Sequence, residues 1–325
     1  MKETRVRHID SSWVAQNTVL VDGFPRPDWN AIDDWIDRNV KDCHADEAWT
    51  EAGLCWLDAV KEHLAGQHKV YASDHFYLLC PYEKHMANKL ISFAEDAWGK
   101  IQRYLWQLEL NRPCGKEVIL AFADQETYYT YISYFYPEGE FGFTGGIHIS
   151  SGYEHVVLAP DDLWQLEFVL THELTHVVLC TLPMPEWLEE GLAQILEELV
   201  LSRPSLTIDA EIKRRHDRYW NRHGLDEFWS GKSFRLPDEG QGLSYALAQI
   251  LVRNMADDHG DRFFDFVQAA RREDAGEAAA REHLKCSLSD CAMQFLGEGD
   301  WAPRPEALRD AAEREDSEQP DSDGQ

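Results

Sequence analysis

The stretch from Thr171 to Glu197, THELTHVVLCTLPMPEWLEEGLAQILE, constrains the fold more than any other part of the chain. It begins inside DDLWQLEFVLTHELTHVVLC, an apolar run of helical character with Asp161 or Asp162 placed to cap its start. Proline cannot continue a helix, so Pro183 and Pro185 end this one and force a turn. A second helix is expected from about Glu186, running back past the first.

Residues four apart on a helix differ by about 40° of rotation and about 6 Å of rise. His172 and His176 therefore project from one face, where their imidazoles can converge on one ion at about 2.0–2.1 Å. Glu173 sits about 100° from His172 and about 60° from His176, flanking the ion and suited to contact its water. Leu170, Leu174, Val177 and Val178 lie around the other side and seat the helix in a core. The plain alternative is a buried helix with two hydrogen-bonded histidines and no metal. A catalytic zinc site with two histidines needs a third protein ligand and one open position. The second helix offers Glu186, Glu189 and Glu190. Glu186 and Glu189 read as a solvated helix start favoured by the dipole. Glu190 is the candidate ligand, with Gly191 beside it to let the two helices approach and Trp187 and Leu188 as apolar anchors.

HELTH followed by EWLEEGLA resembles the gluzincin zinc metallopeptidases, in their compact peptidase-MA-like form. The resemblance implies one Zn2+ held by His172, His176 and Glu190, with Glu173 as general base. It spans roughly residues 68 to 297 and is concentrated in 172 to 193. Upstream, GKEVILAFAD through FGFTGGIHIS fits a strand–helix–strand run and a Gly-Gly turn before an edge strand. Downstream, a helix from Tyr245 to Gly260 and the segment CSLSDCAMQFL fit as well, and Tyr245 becomes a candidate oxyanion donor. His216, Tyr219 and His223 are rival donors, read as a solvated helix face. Gln194 is a candidate acceptor for a ligand histidine's second N–H. The region matching the amine-binding G-x-M-E-N segment of the large aminopeptidases reads GFTGGIHIS, without that glutamate, so aminopeptidase activity is not implied. The implied fold is α+β and zincin-like: a small mixed β-sheet and the HExxH helix, then a mainly helical C-terminal subdomain, with extra N-terminal helices.

Three regions follow: a helical region at 1–67, the zincin-like domain at 68–300 and an acidic, disordered tail at 301–325. In the first, DWNAIDDWIDRNV and WLDAVKEHL carry apolar residues at helical spacing, and its tryptophans read as core or docking residues. KVYASDHFYLL reads as strand, YEKHMANKLISFAEDAWGKIQRYLWQL as a long helix, KEVILAFAD as a buried strand and QETYYTYISYFY as helix. PEGEFGFTGG reads as loop, with short strands at IHIS and HVVLAP. A peptide substrate is expected to add to the GGIHIS strand, where Gly145 and Gly146 allow close backbone approach.

The formal net charge of −28 argues against nucleic acid or an anionic membrane as partner. The first twenty residues hold no apolar run of the signal-peptide kind, and no run approaches 18 apolar residues. The seven cysteines are irregularly spaced and contain no C-x-x-C, which suits reduced thiols in a cytoplasmic protein. The expected function is a zinc-dependent metallopeptidase acting on a peptide or protein substrate. The N-terminal helices leave room for a protein partner. The rival reading is a zincin-fold scaffold that binds zinc without turnover.

Overall fold

Asp10 opens the first ordered element by accepting a hydrogen bond from the Ser12 amide, at 3.0 Å. The computed structural model describes residues 9–64, 67–111, 114–136, 145–204, 206–236 and 238–309. The expected loop over 137–144 and the tail from 310 onward lie outside them. The fold is mixed α+β, mainly helical with a small mixed sheet, and it divides into two compact units.

The first unit holds residues up to Gln102 and from Asn111 to Val178. It starts with α1 (Ser11–Gln16) and a hairpin of β1 (Thr18–Val21) and β2 (Phe24–Pro27), turned by Asp22 and Gly23 at positive φ. Then come α2 (Trp29–Asn39), capped by Asp28, and α3 (Ala45–His63). The apolar spacing of these helices is used internally: Ile32, Ile36, Ala48 and Ala52 close on Val14, with Trp13, Trp29 and Trp35 packed around them. The tryptophans are therefore packing residues, and the region at 1–67 shares its unit with the sheet.

The stretch read as one strand at 69–79 is two, β3 (Lys69–Ala72) and β4 (Phe76–Cys80), paired antiparallel across a tight turn. After α4 (Lys84–Tyr104) come β5 (Glu117–Ala121), α5 (Gln125–Ser133), β6 (Gly146–Ile149), β7 (His155–Leu158) and α6 (Leu163–Leu179). The sheet order is β3-β4-β5-β7-β6, with β4, β5 and β7 parallel and both edges antiparallel. The three central strands are buried at every residue, which is why they read as continuous apolar runs.

A polar network runs under this sheet. The Arg26 guanidinium, buried, donates to the Tyr131 carbonyl at 3.0 Å and lies 4.2–4.7 Å from the ring centroids of Tyr131, Tyr134 and Phe135. His155, also buried, has Nδ1 2.6 Å from the Tyr153 carbonyl and Nε2 2.8 Å from the Tyr131 hydroxyl. This arrangement suits a neutral ring with its proton on Nδ1. Burial, aided by the charges of Arg26 and His148 and opposed by the Tyr153 carbonyl, pushes the His155 pKa down to about 3. A folded pKa below the unfolded one gives stability that is complete above about pH 6.5 and is lost as pH falls. We expect stability to fall as pH drops below 6.5, with a slope that approaches about 1.4 kcal/mol per pH unit between roughly pH 5.5 and 4 for this one group. Urea titrations across that range check it, with His155→Leu expected to flatten the slope by about one proton. An unchanged slope in that variant would contradict the assignment.

The second unit holds 103–110 and the chain from Leu179. Its elements are α7 (Glu186–Leu201), α8 (Ala210–Tyr219), α9 (Arg222–Trp229), α10 (Glu239–His259), α11 (Asp261–Ala269), α12 (Glu277–Ala279, continuing as a π turn to Leu284) and α13 (Leu288–Leu296). α7 and α10 form its central packed pair. Residues 301–309, expected as the start of a tail, are held to this unit. The Trp229 indole donates to the Trp301 carbonyl at 2.7 Å, and Arg304 pairs with the buried Asp226. Among the described residues no helix is long and apolar enough to cross a membrane.

Candidate metal centre

α6 opens beside Asp162, whose side chain accepts from the Gln165 amide at 3.0 Å. Leu166, Leu170, Leu174 and Val177 are buried along one face, at the spacing that orients the helix. Thr171 and Thr175, fully buried, donate to the carbonyls of Glu167 and Thr171, at 2.8 and 2.9 Å, so their hydroxyls are satisfied within the helix.

His172 and His176 are half-buried one turn apart, with ring centroids 4.8 Å apart and planes at 66°. Their Nε2 atoms are 3.1 Å apart. Two nitrogens on a tetrahedral zinc at about 2.0–2.1 Å stand about 3.3 Å apart, so this pair is already spaced as two ligands of one ion. Glu190, buried on the second turn of α7, completes the group: one ligand atom from each of His172, His176 and Glu190 lies within 4.8 Å of the others. Two imidazoles and a carboxylate are a donor set that zinc accepts, and three protein ligands leave one position open. Glu173, between the histidines in sequence, is buried with about 9% of its surface exposed. No other trio of histidine, cysteine, aspartate or glutamate gathers this closely among the described residues.

The other two glutamates of α7 are held elsewhere. Glu186 lies 3.1 Å from the Arg235 guanidinium, and Glu189 is 3.9 Å from that of Arg272. Trp187 and Leu188 are fully buried, and the Trp187 indole donates to the Ala275 carbonyl at 3.0 Å. Gly191 does something other than expected. A Cβ there would stand 2.5 Å from Val252 Cγ2 and 2.7 Å from the Ala248 carbonyl oxygen, so the missing side chain admits α10. Its close neighbour is the later helix, which a reading confined to the two adjacent helices could not anticipate.

Tyr245 sits in the second turn of α10, half-buried, its ring edge-on to Phe234 at 5.3 Å. His216 corrects the reading of α8 as a solvated face. It is fully buried, accepts from the Trp220 indole at 2.8 Å, and has its pKa pushed down to about 4 by burial and by Arg215 and Lys213. Its chemistry is that of a neutral packing residue. His223 is exposed and faces Glu227. The Gln194 amide donates to Glu197 at 3.3 Å. Gly145 and Gly146 lie against α6: a Cβ on either would stand within 2.8 Å of Val169 side-chain atoms, so the edge strand β6 passes close to this helix.

Neither the known protein families nor the curated proteins contain a match to this chain.

Proposed function

We propose that the chain is a zinc-dependent metallopeptidase of the gluzincin type, built on a zincin-like fold. The observation that carries this reading is the meeting of His172, His176 and Glu190 at ligand distance, with Glu173 on the same helix turn as the histidines. The small mixed sheet with an antiparallel edge strand, β6, lying close to α6 supports the fold.

His172, His176 and Glu190 would hold the zinc ion, which would supply Lewis-acid chemistry and activate a water as nucleophile. Glu173 takes the proton of the attacking water and passes it to the leaving amine, one group serving as base and then acid. Tyr245 donates to the oxyanion that develops on the substrate carbonyl. The peptide lies along β6, the edge strand of the sheet, as an added strand. Burial of Leu166, Leu170 and Leu174 fixes the helix that carries both histidines and Glu173, so these groups keep their spacing through the reaction.

The test is cleavage of a peptide library by the purified chain. Cleavage is expected with zinc, to be lost after chelation and to return on adding zinc. A chain that holds stoichiometric zinc and cleaves nothing in the library would favour a zinc-binding scaffold and end the peptidase reading.

A further inference from the structure

The segment CSLSDCAMQFL carries two cysteines that the metal centre does not use. Cys286 stands just before Ser287, the N-cap of α13, and Cys291 lies at the fourth position of that helix. Their sulfurs are 3.4 Å apart. Cys286 is half-buried and Cys291 buried, so one thiol of the pair meets solvent and the other stands behind it.

The backbone between them is pinned at several points. Ser287 accepts from the Asp290 amide at 3.1 Å, and the Asp290 carboxylate accepts from the Ser287 amide at 2.9 Å and from its hydroxyl at 2.6 Å. The next amide, of Leu288, donates to the Glu277 carboxylate at 2.8 Å. Residues at these two positions around a capping box commonly make an apolar contact, and two thiols can fill that role. Any pair of apolar side chains would serve there. The role does not call for two sulfurs aimed at one another, nor for the His259 imidazole, whose Nε2 is 4.0 Å from Cys286 Sγ. A disulfide bond is about 2.05 Å long, so the sulfurs have about 1.4 Å to close, a movement of side chains and not of backbone.

We propose that Cys286 and Cys291 form a reversible disulfide, a redox-responsive modification site at the start of α13 whose oxidant is a small disulfide of the glutathione type. The Cys286 thiolate attacks one sulfur of the oxidant, whose S–S bond breaks, and one glutathione thiolate leaves and is protonated. Cys291 then attacks Cys286 Sγ, and its proton goes to the second departing thiolate. Two protein thiols are oxidised to one disulfide, and one glutathione disulfide is reduced to two thiols. His259 stands where it can receive the Cys286 proton. Burial, and after it the hydrogen bond and charge of Cys286, raises the Cys291 pKa, so Cys286 is the thiol that meets the oxidant first. The second step is intramolecular, and the fixed proximity of the sulfurs compensates for a low thiolate fraction at Cys291. The inference is independent of the peptidase reading.

The experiment is redox titration of the full chain in mixtures of reduced and oxidised glutathione, quenched with an alkylating agent and read by peptide mapping. In the most oxidising mixture most molecules are expected to carry the Cys286–Cys291 link, and dithiothreitol should return both thiols. Cys291→Ser should stop at glutathione attached to Cys286, and Cys286→Ser should leave Cys291 unmodified. The exposed Cys43 and Cys114 report that the oxidant is active. The link is read in the parent chain itself, so the test does not depend on either variant folding. Three results would overturn the proposal: Cys286 and Cys291 both free while Cys43 and Cys114 carry glutathione, Cys286 held as a mixed disulfide in the parent with no link to Cys291, or a link that forms only after urea has unfolded the chain.

Discussion

Glu173→Gln is expected to lower peptide hydrolysis by about 10²- to 10⁴-fold while the protein keeps its full zinc content. The amide is nearly isosteric with the carboxylate, so the buried site at this position keeps its packing. What it loses is the ability to accept a proton at neutral pH. Because Glu173 stands about 100° from His172 on the helix, it flanks the ion and is not needed to hold it. Rate and zinc content measured on the same preparation separate these two functions. Loss of zinc in this variant would make Glu173 a ligand. Unchanged turnover would remove it as the base.

Trp187→Ala should cost about 3–5 kcal/mol of folding stability, the range for deleting a buried tryptophan. The indole is fully buried, edge-on to Trp229 at 5.2 Å, and near Phe228 and Phe266. Its removal opens a cavity and leaves the Ala275 carbonyl without the donor that now stands 3.0 Å away. Trp187 also lies one turn before Glu190 on α7, so a looser helix start loosens the third ligand. Urea unfolding of parent and variant measures the loss, and zinc added in excess should restore part of it by mass action. A loss under about 1 kcal/mol would mean that the α7 start is not anchored by this ring.

The sequence was most informative where periodicity and proline agreed. α6 and α7 were legible because an apolar helical run, Pro183 and Pro185, and a second apolar run leave one local arrangement. The buried strands β4, β5 and β7 showed as unbroken apolar runs for the same reason. What failed to show depended on contacts distant in sequence. The partner of Gly191 is Ala248 and Val252, more than fifty residues away. His216 looked solvated because arginines and an aspartate surround it in sequence, yet Trp220 and Phe295 enclose its ring. The division at Ser73 to His75 was hidden because the turn interrupts the β-rich composition for only three residues. Arg26, packed against the end of α5, is a lone arginine between two prolines, and the three aromatic rings nearest it come from residues beyond 130.

Zinc content of the parent chain beside Glu190→Ala, with each variant's affinity taken from a competing chelator, tests the central claim most directly. One zinc per parent chain is expected, with binding weakened by more than about tenfold to a hundredfold in Glu190→Ala, since even outer-shell losses reach that range. Stoichiometric zinc of equal affinity in both proteins, or none in the parent, would contradict a centre built from His172, His176 and Glu190.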